Sequence, residues 1–142
     1  MSTEQTKELC RRLYAAVSSG DFGAIDQLVS PDFVEHEMVD PNMPAGREGM
    51  KTLFRMVRQG MPDMVMTPED IVAEGDRVAV RAVMTGTQTG EFMGIPPSGK
   101  HVEITVMDLH RIENNQFTEH WGVSDMLALM TQIGAIPAPG TV

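Results

Sequence analysis

The chain has 142 residues, 42% of them hydrophobic, enough for one compact domain with a buried core. Eleven basic residues against twenty acidic ones leave a formal charge of -9, which argues against nucleic acid and anionic membranes as partners. Cys10 is the only cysteine and the start MSTEQTKELCRR has no apolar signal region, so the expectation is a cytoplasmic protein without disulfides or a cysteine-based metal site.

In chain order, Leu9, Leu13, Ala16 and Val17 recur at a helical period between Thr3 and Ser19, with Ser2 or Thr3 as N-cap and Gly20 as the stop. Asp21 caps a second, shorter helix through Ile25, Leu28 and Val29, ended by Ser30-Pro31. Phe33 to Glu37 reads as a short strand carrying His36. Val39 to Gly46, with two prolines, is a loop, and Arg47 to Gln59 resumes the helical pattern through Met50, Leu53, Phe54 and Val57. From Met61 the period falls to two, predicting strands over Pro62 to Glu74, Arg77 to Gly90, Lys100 to Arg111 and Gln116 to Val123. The segment EFMGIPPSGK interrupts the middle two strands, because Pro96, Pro97 and Gly99 forbid regular pairing. Asp125 to Ile133 is a last short helix, followed by a frayed tail over 137–142. Helices first and a sheet afterwards predict an α+β fold with helices on one sheet face, one domain over residues 1–142.

The final strand pair, VMDLHRIENNQFTEHWGVSD, mixes Asp108, His110, Glu119, His120 and Asp125 with Leu, Ile, Phe, Val and Trp. Polar groups among apolar ones cost free energy unless paired, so this mixing points to a hydrogen-bonded network or a ligand pocket. Two registers are open. A three-residue loop, Glu113 to Asn115, sets Asp108 opposite His120 and His110 opposite Thr118, with Gly122 on the same face and Leu109, Phe117, Trp121 and Val123 outside. A two-residue Asn114-Asn115 turn instead groups Asp108 and His110 with Phe117, Glu119, Trp121 and Asp125.

Other features are weighed beside this pair. Thirteen methionines, Met107 among them, suit either an adaptable core or a deformable cavity for a flat ligand. Tyr14 is placed to offer a hydroxyl from the first helix. His101, beside Lys100, is expected in solvent, and Asp125 is expected to cap the last helix. Among the four histidines no metal-ligand spacing occurs, and no Gly-rich loop joins a strand to a helix, so neither a metal nor a nucleotide cofactor is expected.

Three segments, in order, carry a family resemblance: PDFVEH with AGREGMKTLF between Pro31 and Phe54, then FMGIPPSGK, then RIENNQFTEHWGVSDMLALMTQIG. Together they resemble SnoaL-like polyketide cyclases, in the superfamily of ketosteroid isomerase and nuclear transport factor 2. The resemblance implies a cone-shaped barrel, a curved antiparallel sheet wrapped on the N-terminal helices around an apolar pocket. It also implies a cofactor-independent enzyme that closes a ring on an enolisable polyketide-like carbonyl compound by an aldol step or allied proton transfer; a homodimer is expected separately, from the outer sheet face with Leu109, Phe117, Trp121 and Val123. A polyketide hydroxylase and a non-catalytic dimeric small-molecule-binding module are the alternative readings. The resemblance favours the bulged register, with His120 as base, Asp108 as its orienter or the relocated acid, and His110 as oxyanion partner. The substrate wall would then draw on His36, Tyr14, Phe54, Phe92 and Met107. One position departs: where the cyclases carry an acid/base aspartate two residues after the histidine matched by His120, this chain has Gly122.

Overall fold

The computed structural model describes residues 1–37, 40–138 and 140. Val39 of the expected loop, and Pro139, Thr141 and Val142 of the expected frayed tail, lie outside the described residues. The elements follow as α1 (Thr3–Ser19), α2 (Phe22–Leu28), β1 (Val29–Glu35), α3 (Arg47–Gly60), β2 (Val65–Glu74), β3 (Arg77–Thr87), β4 (His101–Glu113), β5 (Gln116–Ser124) and α4 (Met126–Gln132).

Local chemistry sets the helix ends. Ser2 accepts from the Gln5 amide while the Gln5 side chain answers to the Ser2 amide, a reciprocal cap, and Gly20 at φ 73° stops α1 in the left-handed conformation. Asp21 and Asp125 cap α2 and α4, each accepting from the amide three residues on. Leu9, Leu13 and Val17 of α1 are buried, and α1 lies against β2, α3 against β1 and α4 against β4. Among the described residues no helix is long and apolar enough to cross a membrane.

The sheet runs β1-β5-β4-β3-β2. Neighbours pair antiparallel except β1, which runs parallel to β5. The α+β architecture is the one expected, N-terminal helices packed on a single sheet, but that sheet is mixed and open instead of a closed antiparallel barrel, with β1 and β2 as its edges. Its first strand begins earlier than expected, at Val29, and takes in Pro31, whose missing N–H is tolerated on an edge strand. Conversely β2 begins later, at Val65. Pro62 cannot donate to a ladder and the Asp63 carboxylate takes the Thr87 amide at 2.7 Å, so Met61 and Met64 enter the core from a turn.

Strict alternation organises β4. Val102, Ile104, Val106, Asp108, His110 and Ile112 are buried, whereas Met107 is 53% exposed on the other face. The β4–β5 hairpin combines parts of both predicted registers. Asn114 and Asn115 have φ of 51° and 62° and form a two-residue turn that pairs Glu113 with Gln116 and Ile112 with Phe117. Thr118 then bulges, so that Arg111 meets Glu119, His110 meets His120 and Asp108 meets Gly122. The bulge keeps Asp108, His110, His120 and Gly122 on one face. It also overturns two expected pairings, Asp108 with His120 and His110 with Thr118. Phe117, expected outside, precedes the bulge and is fully buried, while Val123 beyond it is exposed.

The segment between β3 and β4 is organised by one side chain. Gln88, fully buried, donates from Nε2 to the Ile95 and Pro96 carbonyls at 3.1 Å each, and its Oε1 accepts from the Ser98 amide at 3.1 Å. The Gly90 amide is tied to the Gly60 carbonyl at the end of α3, and a Cβ at Gly90 would lie 2.1 Å from the Gln59 carbonyl oxygen. This docking presses Phe92 inward against Gly60. Replacing Gln88 by Ala removes three hydrogen bonds that no neighbour replaces. The expected outcome is a loss of about 1–3 kcal/mol of stability, measured by urea denaturation, with Phe92 released from its seat.

Candidate active site

A cavity of about 230 Å³ opens between α1, α3 and the buried sheet face. Leu13, Val17, Phe54, Met84, Phe92 and Ile104 supply part of its apolar wall. Polar groups gather at one place on that wall: Tyr14 from α1, Asp108 and His110 from β4, His120 and Ser124 from β5, Glu35 from β1 and Glu37 just beyond it. The arrangement follows from strand parity, since even-numbered β4 residues and, beyond the bulge, even-numbered β5 residues point inward.

His120 is the hub. Its Nδ1 lies 2.5 Å from Glu35 Oε1 and its Nε2 lies 2.7 Å from Asp108 Oδ1. Burial opposes charge on this ring, but the hydrogen bonds to Asp108 and Glu35 and the charges of both carboxylates outweigh it, raising its pKa to about 10. At neutral pH His120 is an imidazolium giving one N–H to each carboxylate, with no lone pair left. A resting base at His120, as expected from the sequence, does not fit this geometry. Asp108 shows the complementary balance: burial pushes its carboxyl up, yet the hydrogen bond and charge of His120, helped by Tyr14, hold it below the usual range. It remains a carboxylate.

Tyr14 Oη donates to Asp108 Oδ2 at 2.5 Å, since an ionised carboxylate can only accept. Burial, then the Asp108 charge, raises the Tyr14 pKa and keeps that proton in place. The single hydroxyl proton being spent, the 3.0 Å contact between Tyr14 Oη and His110 Nε2 requires His110 to donate from Nε2. Burial and the nearby His120 charge lower the His110 pKa to about 3, so this ring is neutral and its Nδ1, which has no partner among the described residues, is a bare lone pair. His110 therefore has no free proton for an oxyanion, and its partner is Tyr14 instead of Thr118, whose hydroxyl contacts the Arg111 carbonyl.

Position 122 has no room for a side chain. A Cβ on Gly122 would stand 2.6 Å from His120 Cε1 and Nε2 and 2.7 Å from Asp108 Oδ1. The volume that a side chain at 122 would fill already holds the Asp108–His120 pair.

Tyr14, Phe54, Phe92, Asp108, His110 and His120 border the cavity. Met107 and His36 do not. Met107 belongs to the outward parity of β4, and His36 stacks on Trp121 with ring centroids 4.8 Å apart while its Nε2 meets Glu119 Oε2 at 2.6 Å on the outer face. Glu35 and Glu37 were missed by sequence reasoning, although Phe33, Glu35 and Glu37 share one parity and Phe33 reads as core. His101 is exposed, as expected. Two trios, Asp108 with His110 and His120, and Glu35 with Glu37 and His120, bring ligand atoms within 4.8 Å of one another. His120 commits both nitrogens to carboxylates, so neither trio presents a free set of donors.

Helices against one face of an open sheet, enclosing an apolar cavity with an ionised polar wall, define a small pocketed α+β domain. The chain belongs to the SnoaL-like polyketide cyclase family, whose profile matches residues 8–133. It is similar to nogalonic acid methyl ester cyclase of Streptomyces nogalater, 21% identical over 86% of this chain and 92% of the relative. Among solved structures, IdmH of Streptomyces antibioticus, a candidate polyketide cyclase, is 36% identical with a TM-score of 0.80, covering 90% of this chain and 97% of that one. AclR of Streptomyces galilaeus, a candidate hydroxylase, is 31% identical with a TM-score of 0.83, covering 96% and 85%.

The two histidines shift in opposite directions, and stability should follow both. His120, raised above its ordinary 6.5 to about 10, contributes stability that is complete below about pH 6.5 and lost as pH climbs through 10. His110, lowered to about 3, contributes stability present above pH 6.5 and lost as pH falls toward 3. Unfolding free energy by urea titration should peak near pH 6.5, and in His120→Gln the decline between about 6.5 and 9 should vanish, leaving only the steeper alkaline loss from the buried Cys10 thiol and Tyr14 phenol, both raised by burial. Separately, Gly122→Ala should cost about 1–3 kcal/mol by overpacking, with the His120 ring NMR signals displaced.

Proposed function

We propose that this protein is a cofactor-independent enzyme that closes a ring on an aromatic polyketide ester by an intramolecular aldol step. The observation that carries this reading is the ionised Asp108 carboxylate at the wall of an apolar cavity, held by His120 on one oxygen and Tyr14 on the other. Asp108, and not His120, is assigned the proton from substrate carbon, because His120 has no lone pair and the fully buried His110 ring is held neutral beside the His120 charge. Its pKa being held low, it suits a carbon acid whose C–H is already acidified by a carbonyl on each side, such as a β-keto ester. The fixed positive charge of His120 then lowers the energy of the enolate that forms beside it, without reorganisation at the moment of reaction. The apolar walls favour a flat hydrophobic substrate and exclude competing water.

The reading is supported by similarity to a nogalonic acid methyl ester cyclase and to a candidate polyketide cyclase. Similarity to a candidate hydroxylase favours a second reading, in which the same carbanion meets molecular oxygen instead of an internal carbonyl. One experiment separates the two. Offered an aromatic polyketide β-keto methyl ester, the protein should form an isomeric cyclised product with no oxygen uptake at an oxygen electrode. Asp108→Asn should lower kcat by about 10²–10⁴ while the substrate still binds. Oxygen uptake matched to product would establish the hydroxylase, and equal binding with no turnover by the parent would establish a ligand-binding module.

A further inference from the structure

The cavity wall holds a second carboxyl group that the aldol base does not use. Glu37 lies just past the end of β1, half-buried, and lines the same cavity as Asp108. Its Oε1 accepts from Ser124 Oγ at 3.1 Å, and among the described residues nothing donates to Oε2. A carboxylate oxygen of Glu37 and a ring nitrogen of His120 fall within 4.8 Å of each other, so Glu37 stands beside the hub on the cavity wall.

An aldol closure needs two opposite proton movements. One group takes the α-proton, and another must protonate the alkoxide that the attacked carbonyl becomes. Neither proton of His120 is free, since Glu35 and Asp108 hold both, and the Tyr14 proton is held by Asp108. We propose that Glu37 is the general acid of ring closure, oriented by Ser124, and that it acts on the carbonyl oxygen of the substrate's electrophilic arm. The inference rests on the cyclase reading of the site.

The step balances. The α-proton passes to Asp108, its C–H pair becomes the enolate, and the enolate carbon bonds to the carbonyl carbon. The C=O π pair moves onto oxygen, which takes the Glu37 proton and leaves Glu37 ionised. Exchange with water returns a proton to Glu37 and removes one from Asp108, so the net change is isomerisation with no oxidant or reductant.

The surroundings suit an acid. Burial favours the neutral form of Glu37 most, the Ser124 hydrogen bond and the His120 charge oppose it, and the Asp108 and Glu35 charges add to burial, leaving the pKa raised. Two carboxyls in one cavity pushed apart in this way, Asp108 down and Glu37 up, form a base and acid pair. The titratable groups facing Glu37 are Glu35 from β1, Asp108 from β4, His120 from β5 and Tyr14 from α1.

The test uses an aromatic polyketide β-keto methyl ester bearing an internal ketone, with two readouts on each protein. Exchange of the α-proton in deuterium oxide reports the base step, and cyclised product reports closure. Glu37→Gln keeps the Ser124 bond but has no acidic proton. It should exchange at the parental rate within about threefold, close about 10²-fold more slowly, and lose the alkaline limb of the kcat profile. Ser124→Ala removes a bond that stabilises the carboxylate, so its alkaline limb should move to higher pH, a shift that a purely structural contact would not produce. Closure by Glu37→Gln at the parental rate with the limb intact would overturn the assignment while leaving the cyclase reading standing. A parent that neither exchanges nor closes would overturn both.

Discussion

The charged ring of His120, fixed between Glu35 and Asp108, is the interaction on which the cavity wall depends. A buried imidazolium costs several kcal/mol unless its protons are taken, and here each is taken by a carboxylate on a different strand. The ring therefore ties β1, β5 and β4 together across the parallel and antiparallel sides of one sheet. It also dictates the states of its neighbours. Its charge keeps Asp108 ionised and helps keep His110 neutral, and Asp108 in turn retains the Tyr14 proton. Five side chains thus share one protonation pattern, and altering any of them changes what the others can do.

The hairpin shows what could be read in the chain and what could not. Alternation in β4 assigns Asp108 and His110 to the buried face without ambiguity, because the flanking Val106 and Ile112 are apolar at the same parity. The Asn114-Asn115 pair announces a turn with positive φ. Nothing in FTEHWG announces that Thr118 will bulge, since a bulge is chosen by tertiary fit. Without it the two-residue turn would send His120 outward, away from Glu35. Parity on the bulged side was legible only through the family resemblance, and that resemblance gave the right face with pairings two residues out of step.

The first strand was harder for a different reason. A short edge strand containing Pro31 has little alternation to read, and its pairing with β5 joins elements more than eighty residues apart. Glu35 and Glu37 flank His36 at the opposite parity, and only the pairing of β1 with β5 decides which parity meets the cavity. The parallel alignment sets His36 against Trp121 and Glu119 outside and turns Glu35 toward His120 inside. The sheet edges likewise lay beyond the chain's local patterns, as closure or its absence depends on how strands assemble.

Gly122 and Asp108 face one another across the β4–β5 ladder and compete for a single volume. A side chain on β5 at this position and the carboxylate reaching the ring from β4 are mutually exclusive occupants. The glycine is thus the backbone's own share of the ion pair: the lack of one Cβ on β5 lets the β4 carboxylate close on the imidazolium.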